Sequence, residues 1–171
     1  MKQDRKEKLK ESIETFHLPR YDEIPDVGLY LEQVAKYIGN LLMPLEDISI
    51  TRSMISNYIK QGLVSNPVKK QYNRDQIAYL IFIAIAKSVL SLEHIRLMID
   101  MQKDNYDNAT AYNYFCMEFE NVLFYVFGFK DNPEQIGTDS TDLKLMLQNL
   151  IVTSAHKIYL DKCFNMIGEQ L

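Results

Sequence analysis

Ser53, Ser56, Asn57 and Lys60 lie in the stretch ITRSMISNYIKQGL, residues 50–63, at separations of three, four and seven that put them on one face of a helix. Hydroxyl and carboxamide groups on such a face can read base edges in a DNA major groove, where asparagine pairs well with adenine and serine tolerates several bases. The same side chains also make an ordinary solvated helix face. The setting of the stretch separates the two readings. From Ile48 to Arg74 the chain holds five basic residues, Arg52, Lys60, Lys69, Lys70 and Arg74, and no Asp or Glu. That window carries +5 in a chain whose net charge is −4, so all other residues together carry −9. Phosphate contacts dominate affinity for nucleic acid and need Lys and Arg, so DNA contact is expected from this window. Residues 100–142, with nine acids and two lysines, should repel it.

Other chemistry is poorly represented. His17, His94 and His156 are scattered, with no second ligand one helical turn away, and the two cysteines, Cys116 and Cys163, form no C-x-x-C pair. No metal and no cofactor are expected. The six glycines are isolated and build neither a phosphate-cradling loop nor a nucleophile elbow. His156 can be drawn with Asp161 or Cys163, but the spacings do not place them on one face for contact. The sequence therefore points away from an enzyme.

The elements that must position the polar face follow from local signals, and they are all helical. A first amphipathic helix is expected from about Val27 to Leu42, with Leu31, Val34, Ala35, Ile38 and Leu42 on one side and Pro44 ending it. Thr51 is placed to cap the second helix, on which Ile55, Tyr58 and Ile59 oppose the polar face, and Gly62 supplies the left-handed position after its end. VSNPVKKQY, residues 64–72, reads as a tight turn or minimal hairpin. Asn73 with Gln76 forms a capping box opening an apolar helix through Lys87, and Ser91 caps the next. An aromatic stripe of Tyr112, Phe115, Cys116, Phe119, Val122, Leu123 and Val126 marks a helix over 109–127. Ser140 or Thr141 can cap a long final helix reaching about Met166. The longest apolar run, residues 77–86, is too short to cross a bilayer. MKQDRKEKLKE is charged with no apolar run behind it, so a cytoplasmic protein without membrane contact is expected.

The ordered set TRSMISNYIKQGLV, KQYNRDQIAYL and LSLEHI resembles the DNA-binding domain of the MerR family of bacterial transcription regulators. Ile55, Tyr58, Gly62, Leu63, Tyr72, Asp75, Leu80, Ser91, Leu92, Glu93 and Ile95 match in kind and order over about a quarter of the chain. Departures accompany the matches. Ser56 stands where the family has a recognition-helix Arg and Ile59 where it has a Glu. Val68, Lys69 and Lys70 replace its Gly-Tyr-Arg wing signature, and the run from Leu63 to Tyr72 is shorter. The segment LPRYDEIPDVGLYLEQV and the aromatic helical half also resemble a bacterial family of domains of unknown function, number 1836.

The MerR resemblance implies an all-α fold: a winged helix-turn-helix domain with a minimal wing, followed by a C-terminal helical bundle. The expected division is an N-terminal arm at 1–26, the helix-turn-helix domain at 27–103, and an effector or dimerisation half at 104–171. It implies double-stranded DNA as partner, with the helix at 51–61 in the major groove and Ser53, Ser56 and Asn57 facing bases. Arg52, Tyr58, Lys60, Lys69, Lys70 and Arg74 would then hold phosphates. A homodimer through the C-terminal helices would suit paired half-sites. Two alternatives stand beside this expectation: a degenerate helix-turn-helix that docks protein, and a small-molecule sensor built on the aromatic half.

Overall fold

The computed structural model describes residues 3–137 and 140–168, and among them the chain is mostly helical. Helix α1 spans Gln3–Glu11, α2 Leu31–Leu42, α3 Arg52–Lys60, α4 Arg74–Ala86, α5 Leu92–Asn105, α6 Asn108–Val126 and α7 Asp142–Gly168. Two short strands, β1 at Leu29–Tyr30 and β2 at Gln71–Tyr72, pair antiparallel, with Leu29 opposite Tyr72 and Tyr30 opposite Gln71. The helix anticipated from Val27 therefore begins later, at Leu31. Gly28 has φ +74°, which stops helical backbone, and a Cβ there would lie 2.9 Å from Gln71 Oε1.

The anticipated caps form because each needs only a side chain within three residues. The Thr51 hydroxyl accepts the Met54 N–H at 3.2 Å. Asn73 and Gln76 exchange side-chain-to-backbone bonds of 2.9 and 2.7 Å, and the Ser91 hydroxyl accepts the His94 N–H at 3.2 Å. Thr141 opens α7 by accepting the Lys144 N–H. Two caps were not anticipated: Asp107, which carries the same signal and caps α6, and Gln33, whose side chain accepts the Tyr30 N–H at 2.9 Å at the start of α2.

One apolar cluster runs through the molecule, from Leu9 of α1 to Ile158 of α7. Helix α6 packs along α7, and α4, buried on nearly every side, lies against both. Residues 9–24, within the segment expected as an arm, belong to this core: Leu9, Ile13, Phe16, Leu18 and Ile24 are buried. Arg20 clamps them to α6, its two terminal nitrogens donating to the Glu120 carboxylate at 3.0 and 2.8 Å, while the Tyr21 N–H donates to Asn113 Oδ1 at 2.8 Å.

Candidate nucleic-acid interface

The polar face of α3 is held outward by what its other face buries. Ile55 and Tyr58 are completely enclosed, each burial being worth roughly 2 kcal/mol, and they fix the rotation of the helix about its axis. Arg52, Ser53, Ser56, Asn57 and Lys60 are consequently exposed together. Beyond the helix, Gly62 at φ +74° lets the Leu63 N–H turn back to Tyr58 O at 3.0 Å and the Gly62 N–H reach Ile59 O at 2.9 Å. Arg96 of α5 donates to the freed Gln61 carbonyl, and Lys87 lies over the Tyr58 ring at 5.4 Å from its centroid. These two cations border the C-terminal end of α3. They were not anticipated, because they stand 35 and 29 residues from the atoms they meet and only packing brings them there.

Val68 and Gln71 exchange backbone hydrogen bonds of 3.2 and 2.9 Å, leaving Lys69 and Lys70 as a two-residue hairpin loop. Both lysines have positive φ, +50° and +65°, the backbone of a type I′ loop, in which Asn-Gly is the usual pair. Holding two lysines there costs about 1 kcal/mol each. Both are exposed, at the tip of this hairpin. The turn leading into the hairpin is fixed by Gln76, a buried carboxamide whose Nε2 donates to Ser65 O and Asn66 O at 2.9 and 3.1 Å.

Among the described residues, Arg52, Lys60, Lys69 and Lys70 enter no ion pair or hydrogen bond through their side chains. The acids nearest to α3 in sequence are already engaged. Glu46 accepts from Lys162 Nζ at 2.7 Å and Asn165 Nδ2 at 3.1 Å, and Asp47 accepts from Asn165 Nδ2 at 3.2 Å. The four cations thus keep their charge available to an incoming anion.

Two expected phosphate contacts are corrected. Tyr58 is fully buried and its hydroxyl has no hydrogen-bond partner, so it packs α3 against the core and reaches no phosphate. Arg74 is turned inward: its Nε donates to Ile24 O at 3.0 Å, its guanidinium lies over the Tyr21 ring at 5.4 Å, and Asp26 is 3.8 Å away. It ties the segment before β1 to the start of α4. Alongside it the Tyr21 hydroxyl donates to Asp75 at 2.6 Å; burial first, then that bond, pushes the phenol up to about 12.

No group of three His, Cys, Asp or Glu side chains among the described residues is placed to hold a metal ion. No helix among them is long and apolar enough to cross a membrane. A family model described as a domain of unknown function, DUF1836, matches residues 19–115, more than half of the chain, and the chain belongs to that family. No curated protein and no solved structure matched the chain. The matched segment takes in α2, α3, the Lys69–Lys70 hairpin, α4 and α5 and ends inside α6.

Proposed function

We propose that this member of a family without assigned function is a DNA-binding regulator of transcription, with α3 as a MerR-like recognition helix in the major groove. One observation carries the reading. An exposed helix face of Arg52, Ser53, Ser56, Asn57 and Lys60 lies in a stretch free of carboxylates, and its cations have no ion-pair partner among the described residues. Ser53, Ser56 and Asn57 supply donors and acceptors to base edges, and Arg52 and Lys60 flank them as phosphate contacts. The Lys69–Lys70 loop adds two further phosphate contacts from the wing, a smaller set than a long wing would give. Affinity is therefore modest and strongly salt-dependent.

A single nine-residue helix reads few bases, so the reading includes a homodimer on paired half-sites. The surface offered for it is the outer face of α7, where Leu145, Val152, Leu160, Phe164 and Ile167 are exposed. An acidic protein surface is the competing occupant of the basic α3 face.

The deciding experiment is selection from a random duplex library at low salt, followed by anisotropy titration of the enriched sequence. The expected result is an enriched motif whose binding weakens steeply with salt, with Lys60→Ala lowering the salt slope by about 1. Absence of any binding at low salt overturns the reading, because the phosphate contribution is greatest there.

A further inference from the structure

Protein interiors pack as densely as organic crystals, and voids larger than a water molecule are few. Between α4, α5, α6 and the start of α7 there is nonetheless a partly open cavity of about 240 Å³ with largely apolar walls. An apolar cavity of about 150 Å³ stays dry and accepts benzene. This one has room for a fused bicyclic ring.

The walls specify the chemistry of an occupant. Tyr79 and Phe82 of α4 and Tyr112 and Phe115 of α6 present aromatic surface, with the Phe82 and Phe115 rings edge to face at 5.2 Å between centroids. The lining also includes the polar side chains of Asp75, Thr110 and Lys144, and one hydrogen-bonded cluster. The Tyr79 hydroxyl lies 2.7 Å from both Gln102 Oε1 and Asn108 Oδ1, and all three residues line the cavity. Asn108 Oδ1 also accepts from Gln102 Nε2 at 3.3 Å, so the Tyr79 hydrogen can go to Gln102 Oε1, and the spare acceptor capacity for an added N–H or O–H is the second lone pair of each carboxamide oxygen.

We infer that this cavity binds a small planar aromatic molecule of bicyclic size carrying a single hydrogen-bond donor. The ring lies among Tyr79, Phe82 and Phe115, and its donor meets the Tyr79–Gln102–Asn108 cluster. Such a ligand sits against the helix whose Gln76 grips the turn at residues 65–66 ahead of the wing. Its binding does not depend on DNA being read by α3.

Indole is a suitable probe, because the chain contains no Trp and indole emission excited beyond the tyrosine band comes from the probe alone. Titration of the full chain should give a saturable blue shift of that emission and a rise in Tm. Ala111→Phe, which fills the cavity from α6, should weaken indole at least tenfold. Gln102→Leu should weaken indole while leaving naphthalene, which has no donor, within twofold. If Ala111→Phe does not fold, Ala78→Leu from the α4 wall makes the same test. The proposal is overturned by unshifted emission up to millimolar indole, or by equal affinity in a filled variant whose circular dichroism is unchanged. It is also overturned if Gln102→Leu weakens indole and naphthalene alike.

Discussion

Lys162 Nζ donates to Glu46 Oε1 at 2.7 Å across 116 residues of chain, joining the last turns of α7 to the loop between α2 and α3. The ammonium is 2% exposed and the carboxylate 41% exposed, so the two partners lose very different amounts of water on pairing. Glu46 also has φ +60°, a backbone that L side chains adopt rarely, and the Lys162 and Asn165 contacts hold its side chain there. The loop that delivers the chain to α3 is thus set by the C-terminal helix.

That asymmetry gives the first prediction. Glu46→Ala leaves a buried ammonium without its carboxylate and should cost about 3 kcal/mol, whereas Lys162→Met frees a carboxylate that water can reach and should cost about 1 kcal/mol or less. Burial pushes the Glu46 carboxyl up, but the hydrogen bonds from Lys162 and Asn165 and the Lys162 charge outweigh it, and the net shift is below 4.5. A carboxyl held low in the folded state adds stability above its unfolded value and loses it as pH falls through the folded one. Urea denaturation of wild type and Glu46→Gln should therefore show a gap that closes as pH falls from about 5. A gap independent of pH between neutrality and strong acid would refute the pairing.

The wing gives a prediction in which stability and binding move in opposite directions. Replacing Lys69 and Lys70 with Asn and Gly relieves two positive-φ lysines and should raise stability by about 1 kcal/mol. The same double variant removes two phosphate contacts and should lower the salt slope of DNA binding by about 2. Denaturation midpoints and anisotropy at several salt concentrations measure both. Unaltered DNA binding in the stabilised variant would remove the wing from the interface.

Arg74 and Tyr58 separate a role in the fold from a role at the surface. Arg74→Ala removes the bond to Ile24 O and the packing on Tyr21, and should cost about 1–2 kcal/mol. Its salt slope for DNA should match wild type. Tyr58→Phe deletes a buried hydroxyl with no partner and should be neutral or stabilising by up to about 1 kcal/mol. A clear fall in stability for Tyr58→Phe would mean that the hydroxyl has a partner, such as an ordered water.

The helices were legible where their causes are local. Thr51, Asn73 and Ser91 cap within three residues of themselves, and Gly62 stops α3 by its own backbone freedom. The partition of the basic window was not legible. Arg74 and Lys60 look equivalent as letters, but Arg74 meets a carbonyl 50 residues earlier while the Lys60 side chain makes no ion pair or hydrogen bond among the described residues. β1 was missed because two residues have no periodicity, and its existence depends on Gln71–Tyr72 arriving alongside. The aromatic stripe of α6 announced a core. Whether facing helices fill the space beside it is decided by packing, and here they leave a cavity.

The outer face of α7 gives the last prediction. Leu145, Val152, Leu160 and Ile167 recur seven or eight residues apart and so lie along one stripe, with Asn149 and His156 between them and Phe164 beside it. The ionic side chains from Lys144 to Lys162 are buried or half-buried, so the stripe itself carries no Lys, Arg, Asp or Glu. A specific interface needs about 1,200 Å² in all, roughly 600 Å² on each copy, so a dimer here must use the stripe along most of its length. An isologous contact also places each charge-free position against another of its kind, with no unpaired ion buried. Sedimentation velocity at micromolar concentration should therefore show a dimer, and Leu160→Glu should return it to a monomer with unchanged circular dichroism. DNA affinity of that monomer for a two-half-site duplex should fall at least tenfold, because the second half-site no longer binds as part of the same event. A wild-type chain that sediments as a monomer throughout the micromolar range would leave α3 to act alone and would rule out this use of α7.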